Sequence, residues 1–267
     1  MACSPRRDRG VKGGAPPAAT SLHRIVLVAE RAGSLRRLLV GRRPPLPGPV
    51  ARAARQWLVD TFHTHYYYQG GWRESTWLGV PVLQCPGDLL VLQQIMWETR
   101  PDVILETGTF YGGSTLFFAT IFDLIGAGSV VSVDIDQSHV NASVRDHPRV
   151  TLLRGDSTAP ETRASVLPHL EGRRAMLFLD ADHRREAVLA ELHAYADFVP
   201  EGCYAVVADS NIDGHPVRFV DTQPYRGPWD AIHEFLRGRD DFEVDASRHL
   251  HLVTFHPDGY LRRRVPS

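Results

Sequence analysis

From Val103 onward the chain repeats one pattern: a short apolar run rich in β-branched residues, closed by an acid or glycine, then a stretch of helical periodicity. The runs are Val103–Glu106, Val130–Asp134, Val150–Gly155, Ala175–Asp180 and Tyr204–Asp209, with helices expected near 113–125, 159–168 and 185–198. Strands that read as continuous apolar runs are buried on both faces, and strands alternating with helices pair in parallel through right-handed crossovers. The pattern therefore predicts an α/β fold with a doubly wound, mostly parallel sheet. Downstream, a helix at 229–237 is followed by the runs Phe242–Asp245 and His251–His256. Their close spacing predicts an antiparallel pair at the sheet edge, which brings the sheet to seven strands.

The first hundred residues follow other rules. Residues 1–49 read as a disordered or extended segment and linker: 1–20 are rich in Gly, Pro, Ala and Arg without apolar period, and Arg42–Pro49 (RRPPLPGP) is stiff. Residues 22–40 fit a strand or an amphipathic helix equally well. Residues 50–100 read as a helical cap on a core of residues 101–267, with helices over 50–63 and about 87–99. Between those helices lies the aromatic segment His63–Trp77 (HTHYYYQGGWRESTW). Its Tyr66, Tyr67, Tyr68, Trp72 and Trp77 are candidates for a lid, and equally for cap packing or a subunit interface. The loop 214–228, with Tyr225 and Arg226, is a second lid candidate.

Composition narrows the function classes. Thirty basic residues against 31 acidic give a net charge of −1, which speaks against a nucleic-acid partner. The three cysteines, Cys3, Cys85 and Cys203, form no disulfide or metal-binding spacing, so a cytoplasmic location is expected. No apolar run approaches the ~20 residues that cross a bilayer, and the basic N-terminus runs into Gly, Pro and Ala instead of an apolar signal core. Lys12 is the single lysine, so the folded body offers none for catalysis.

In an open parallel sheet, ligands sit beyond the carboxyl ends of the strands. The first such end reads Glu106-Thr107-Gly108-Thr109-Phe110-Tyr111-Gly112-Gly113-Ser114. Gly108 permits a tight turn and close approach of a ligand, and Gly112 and Gly113 open the next helix. The dinucleotide pattern G-x-G-x-x-G is absent. In its place stands E-x-G-x-x-x-G, whose acid repels a pyrophosphate but suits an ammonium or sulfonium cation. The second run ends at Asp134, an acid able to accept both hydroxyls of a ribose, and the third in Gly155-Asp156-Ser157, a polar turn suited to an adenine edge. Each end read alone is also a plain turn or helix cap. Three in register point to an adenosyl ligand.

The fourth and fifth runs end in Asp180 and Asp209. Two converging carboxylates repel unless a cation sits between them, and oxygen-only ligands suit Mg²⁺, with Ser210 or Asn211 as a neutral donor. The competing reading makes both aspartates caps. His183 lies three residues past Asp180, and its ordinary pKa of about 6.5 suits a general base, against a capping or solvent role.

The blocks ETGTFYGGSTLFFA, VVSVDID, LFLDADH, VVADSNIDGHPV, GPWDAIHEFL and LHLVTFHPDGYLRR, with WLGVPVLQCPGDLLVLQQI ahead of them, resemble the cephalosporin hydroxylase family over about residues 55–264. That family has the class I S-adenosylmethionine-dependent methyltransferase fold and includes rhamnosyl O-methyltransferases. The resemblance implies a Mg²⁺-dependent O-methyltransferase acting on a hydroxyl of a sugar or other natural-product intermediate. A small hydroxylated acceptor and a homo-oligomeric assembly are the expected partners. The LFLDADH and VVADSN blocks are also similar in placement to catechol O-methyltransferase and its metal-dependent relatives. By that similarity Asp180, Asp209 and Ser210 fall on metal positions. Glu106, Gly108, Thr109, Ser114, Asp134, Asp156, Ser157 and Asp180 fall on cofactor positions. Two departures stand out: Ala208 occurs where the family often has an acid, and His183 stands where the catechol enzymes have a lysine base. The alternatives are a component of a hydroxylation or methoxylation system, although no 2-His-1-carboxylate iron signature occurs, and a non-catalytic cofactor-binding partner, which Ala208 would suit.

Overall fold

The structure, a computed structural model, describes residues 48–213, 215–217 and 226–265. The readings for residues 1–47 and for Tyr225 lie outside the described residues. The chain divides into two units, Met1–Ala54 and Arg55–Ser267, and the site lies within the second.

Helix α1 (Gly48–Gln69) starts at the end of the expected linker, because a proline next to a helix start gives up only an amide that would lack a partner there. It also runs past the predicted end at residue 63, taking in the tyrosines before Gly70 adopts a left-handed φ of 72° and stops it. A short 3₁₀ turn (Gly71–Glu74), the two-residue strands β1 (Thr76–Trp77) and β2 (Val80–Pro81), and helix α2 (Pro86–Thr99) follow.

Strands β3 (Val103–Thr107), β4 (Ser129–Asp134), β5 (Val150–Arg154), β6 (Ala175–Leu179), β7 (Tyr204–Val207), β8 (Phe242–Val244) and β9 (Tyr260–Arg263) form one sheet in the order β5-β4-β3-β6-β7-β9-β8. The first five are parallel, and β9 runs antiparallel to both β7 and β8. Helices α3 (Gly113–Ile125), α4 (Ala142–Arg145), α5 (Pro160–Leu170), α6 (Arg185–Tyr195) and α7 (Pro228–Arg237) complete the doubly wound fold. Every residue of β3 and β6 is buried, which is why their sequences do not alternate. Val91, Leu92, Ile95 and Met96 of α2 belong to the same core cluster as the sheet. Among the described residues, no helix is long and apolar enough to cross a membrane.

One predicted strand is corrected. Residues 251–256 form a loop, and the strand that pairs with β8 is Tyr260–Arg263, inserted between β7 and β8. The apolar side chains of that loop go to a second cluster, Val253 and Phe255 packing with Tyr67, Trp72, Cys85 and Ile212. The Phe255 amide donates to the Asp88 carboxylate at 2.8 Å instead of joining a ladder.

The register aligns the strand ends. Thr107 lies opposite Val133 and Leu179, and Leu179 opposite Val207. The chain winds from β3 outward to β5, then crosses back to β6 on the other side of β3. The switch point therefore falls between β3 and β6.

Candidate active site

A cavity of about 860 Å³ opens along the carboxyl ends of the parallel strands, a size suited to a small-molecule ligand. Asp156 and Ser157 line one end, Asp180, His183 and Asp209 line the other, and Asp134 lies beside the turn that follows β3. Gly108, Thr109 and Ser114 of that turn also face the cavity. Gly108 has a φ of +85°, and a Cβ on it would sit 2.2 Å from the Asp180 carbonyl oxygen, so β3 and β6 approach this closely only with glycine there. Asp134 joins the turn to β4: its Oδ2 accepts from the amides of Thr109 and Phe110 at 2.8 and 2.9 Å, and its Oδ1 from Asp136 at 3.0 Å.

Two expected site residues are not in the cavity wall. Glu106 is fully buried beneath the turn, where the hydroxyls of Ser132 (2.6 Å) and Thr115 donate to its Oε2. Burial pushes its carboxyl up to about 7, against the opposing hydrogen bonds of Ser114, Ser132 and Thr115. Its Oε2 ties β3, β4 and α3 together, while its Oε1 has no hydrogen-bond partner among the described residues. Ser210 is likewise fully buried, and its hydroxyl donates to the Pro257 carbonyl at 2.6 Å. The cause is Asp209, whose φ of 51° turns the chain inward into a 3₁₀ turn over Ser210–Ile212. Asn211, the other neutral donor considered, bonds through Nδ2 to His63 Nε2 at 3.0 Å. Burial lowers the His63 pKa to about 4, which leaves that ring neutral and able to accept.

Asp180, His183 and Asp209 converge, one ligand atom from each lying within 4.8 Å of the others. His183 Nε2 is 3.4 Å from Asp180 Oδ1 and 3.6 Å from Asp209 Oδ2. Burial alone would lower the His183 pKa, but the hydrogen bond to Asp180 and the charges of Asp209, Asp180 and Asp182 outweigh it and raise it to about 9. With two aspartates as its neighbours, the ring favours its protonated form. Burial and the Asp180 charge push Asp209 up to about 6, with His183 acting in the other direction. Asp209 Oδ1 is buried and has no hydrogen-bond partner among the described residues. An unpaired buried oxygen on one carboxylate, with a second carboxylate in the same cluster, fits a divalent cation held by oxygen donors.

Sequence reasoning missed two further wall or support residues. Gln84 donates through Nε2 to Asp180 Oδ2 at 2.7 Å, and nothing in its local sequence marks it. Glu191 lines the cavity and accepts from the Ser157 hydroxyl at 2.5 Å. It was detectable, because on α6 it shares the buried stripe of Val188, Leu192 and Tyr195, where an acid is out of place. Burial pushes Glu191 from 4.5 to about 7. The folded state therefore binds the extra proton, and stability falls as pH rises from 4.5 toward 7. Glu191→Gln keeps an acceptor for Ser157 but cannot ionise. Its melting temperature relative to wild type is expected to rise steadily over that window, and a pH-independent difference in thermal melts would contradict this.

The aromatic segment divides. Tyr67 and Trp72 form part of the cavity wall, with rings 5.3 Å apart and both packed against Phe255, and Arg73 lies over Trp72 at 5.0 Å. Tyr66 packs on Phe255, and Trp77 packs on Phe117 and donates to the Thr120 hydroxyl at 2.9 Å. Tyr68 is exposed. Arg226 is absent from the cavity wall and bonds Asp230 at 3.0 Å.

Two solved structures of CmcI, one apo and one with Mg and SAM, superpose on this chain with a TM-score of 0.56 at 23% identity. They cover 73% and 72% of it and 78% of their own chains, and that likeness establishes a shared fold. The chain has the fold of the class I S-adenosylmethionine-dependent methyltransferases. The rhamnosyl O-methyltransferase of Mycobacterium leprae (strain TN) is 33% identical over 214 residues, 78% of this chain and 91% of that protein. Its counterpart from Mycobacterium bovis (strain BCG / Pasteur 1173P2) is 32% identical over 211 residues, 77% and 85%. Residues 69–264 match the family described as Rhamnosyl O-methyltransferase/CmcI, and the chain belongs to that family of O-methyltransferases.

Proposed function

We propose that this protein transfers the methyl group of S-adenosylmethionine to a sugar hydroxyl of a glycosylated or polyhydroxylated natural product, with Mg²⁺ held between Asp180 and Asp209. The observation that carries the reading is the pairing of these carboxylates, one with an unpartnered buried oxygen, at the end of a cavity that begins at the glycine turn. The acceptor class is supported by the relatives named rhamnosyl O-methyltransferase.

Gly108, Thr109 and Ser114 seat the methionine portion of the donor against the turn, Asp134 meets its ribose, and Asp156 and Ser157 meet its adenine. Tyr67 and Trp72 exclude water from the acceptor side. Asp180 and Asp209 would hold Mg²⁺, which when bound lowers the pKa of an acceptor hydroxyl. His183 accepts the hydroxyl proton. The same aspartates hold His183 protonated, so the ring becomes a base once their charge is neutralised. As the oxygen bonds to the methyl carbon, the carbon–sulfur bond breaks and its electron pair stays on sulfur. The protein's share is alignment of the three atoms. Ala208, 1% exposed, contributes a methyl group to the core and no third carboxylate. The exposed Trp57, Leu58 and Phe62 of α1 support a homo-oligomer.

Calorimetry should show donor binding, and incubation with the donor, Mg²⁺ and a rhamnoside should add one methyl group by mass spectrometry. Donor binding without transfer to any hydroxylated acceptor would leave the non-catalytic reading. His183→Ala is expected to cut kcat by about 10²–10⁴-fold with donor affinity retained, and near-normal turnover would remove the assignment as base.

A further inference from the structure

We propose that His256 is a positioning residue that holds Asp209 in the backbone conformation from which its carboxylate reaches Asp180 and His183. The inference rests on the reading of Asp209 as a metal-holding group and goes beyond it by assigning what keeps that group in place.

Asp209 adopts φ 51° and ψ 28°, the left-handed region that a non-glycine residue keeps only when its surroundings enforce it. Its backbone amide donates to His256 Nδ1 at 3.2 Å. An amide nitrogen can only donate, so Nδ1 is the unprotonated nitrogen and the ring carries its proton on Nε2. Nε2 has no hydrogen-bond partner among the described residues and lies 3.9 Å from Asp88 Oδ2, near enough for attraction but not for a hydrogen bond. Asp88 is itself fixed, its Oδ1 accepting from the Tyr260 hydroxyl at 2.9 Å and its Oδ2 from the Phe255 amide at 2.8 Å. Asp88 and His256 are 1% and 0% exposed, so water does not compete for the bonds that Asp88 accepts or for the one that His256 Nδ1 accepts.

The grip extends past Asp209. The Asn211 amide donates to the Phe255 carbonyl at 3.3 Å and the Ser210 hydroxyl to the Pro257 carbonyl at 2.6 Å. Three successive residues of the turn after β7 are thus held by three successive residues of the loop before β9. A simple connection out of β7 would not need a left-handed aspartate. The conformation places Asp209 Oδ2 within 3.6 Å of His183 Nε2 and leaves Oδ1 unpartnered.

The test uses the full-length protein and Mn²⁺ as a paramagnetic probe, with affinity read by electron paramagnetic resonance without donor or acceptor. His256→Leu removes the acceptor for the Asp209 amide, whereas His256→Asn keeps a side-chain oxygen close to the Nδ1 position. His256→Leu is expected to weaken Mn²⁺ binding by about 10-fold or more while donor affinity stays near wild type, and His256→Asn to recover most of the loss. Equal Mn²⁺ affinity in both variants, or parallel loss of Mn²⁺ and donor binding, would overturn the positioning role. Should His256→Leu fail to fold, a loss of 10-fold or more in well-folded His256→Asn overturns it equally. Asp209→Asn separates the layers. Wild-type Mn²⁺ affinity in that variant refutes the metal reading itself. Loss there, with His256→Leu unaffected, refutes only the role of His256.

Discussion

Replacing Asp180 by alanine is expected to lower kcat by about 10³-fold or more at saturating donor and Mg²⁺, with the fold intact. The size follows from removing a Lewis acid worth several kcal/mol, at about 1.4 kcal/mol per tenfold in rate. Asp180 is where the site's parts meet: Oδ1 faces His183 at 3.4 Å and Oδ2 accepts from Gln84 at 2.7 Å. Its loss also removes the hydrogen bond that raises His183 to about 9, so the imidazole resonances should titrate at lower pH in the variant. Circular dichroism would verify the fold, and single-turnover kinetics the chemical step. Turnover within a few-fold of wild type would show that the carboxylate pair takes no part in the reaction.

The second large effect is expected from Gly108→Ala. The new Cβ would lie 2.2 Å from the Asp180 carbonyl oxygen, 2.7 Å from its carbon and 2.9 Å from the Ala181 Cα, all backbone atoms that cannot rotate away. Left-handed strain of about 1–3 kcal/mol adds to overpacking of about 1–3 kcal/mol. A stability loss of about 2–6 kcal/mol is expected, with donor affinity reduced by about 100-fold or more because turn and strand can no longer close together. Gly172→Ala is the control, since Gly172 has a φ of +70° but no atom within 4 Å of its Cβ position. Denaturant melts and calorimetry on both variants decide the matter. A Gly108→Ala protein that binds the donor like Gly172→Ala would show that close approach is unimportant.

The parallel core was readable because its strands are buried on both faces and end in an acid or glycine, so Asp134, Asp156, Asp180 and Asp209 marked one edge in advance. Helix α3 was readable to the residue, since Gly112 and Gly126 bound it in left-handed conformations. Side-chain direction was not readable. Glu106 and Ser210 share that edge in sequence but turn away from the cavity, one drawn under the turn by hydroxyls and the other swung inward by the left-handed Asp209. The run at 251–256 looks like a strand by composition, and only the distant Asp88, which takes the Phe255 amide, shows why it is a loop.

A Cβ on Gly113 would lie 2.1 Å from the Pro81 carbonyl oxygen, so the hairpin ahead of α2 rests directly on the first turn of α3. Swinging that hairpin away like a door would break the seam and unseat the helix beneath it.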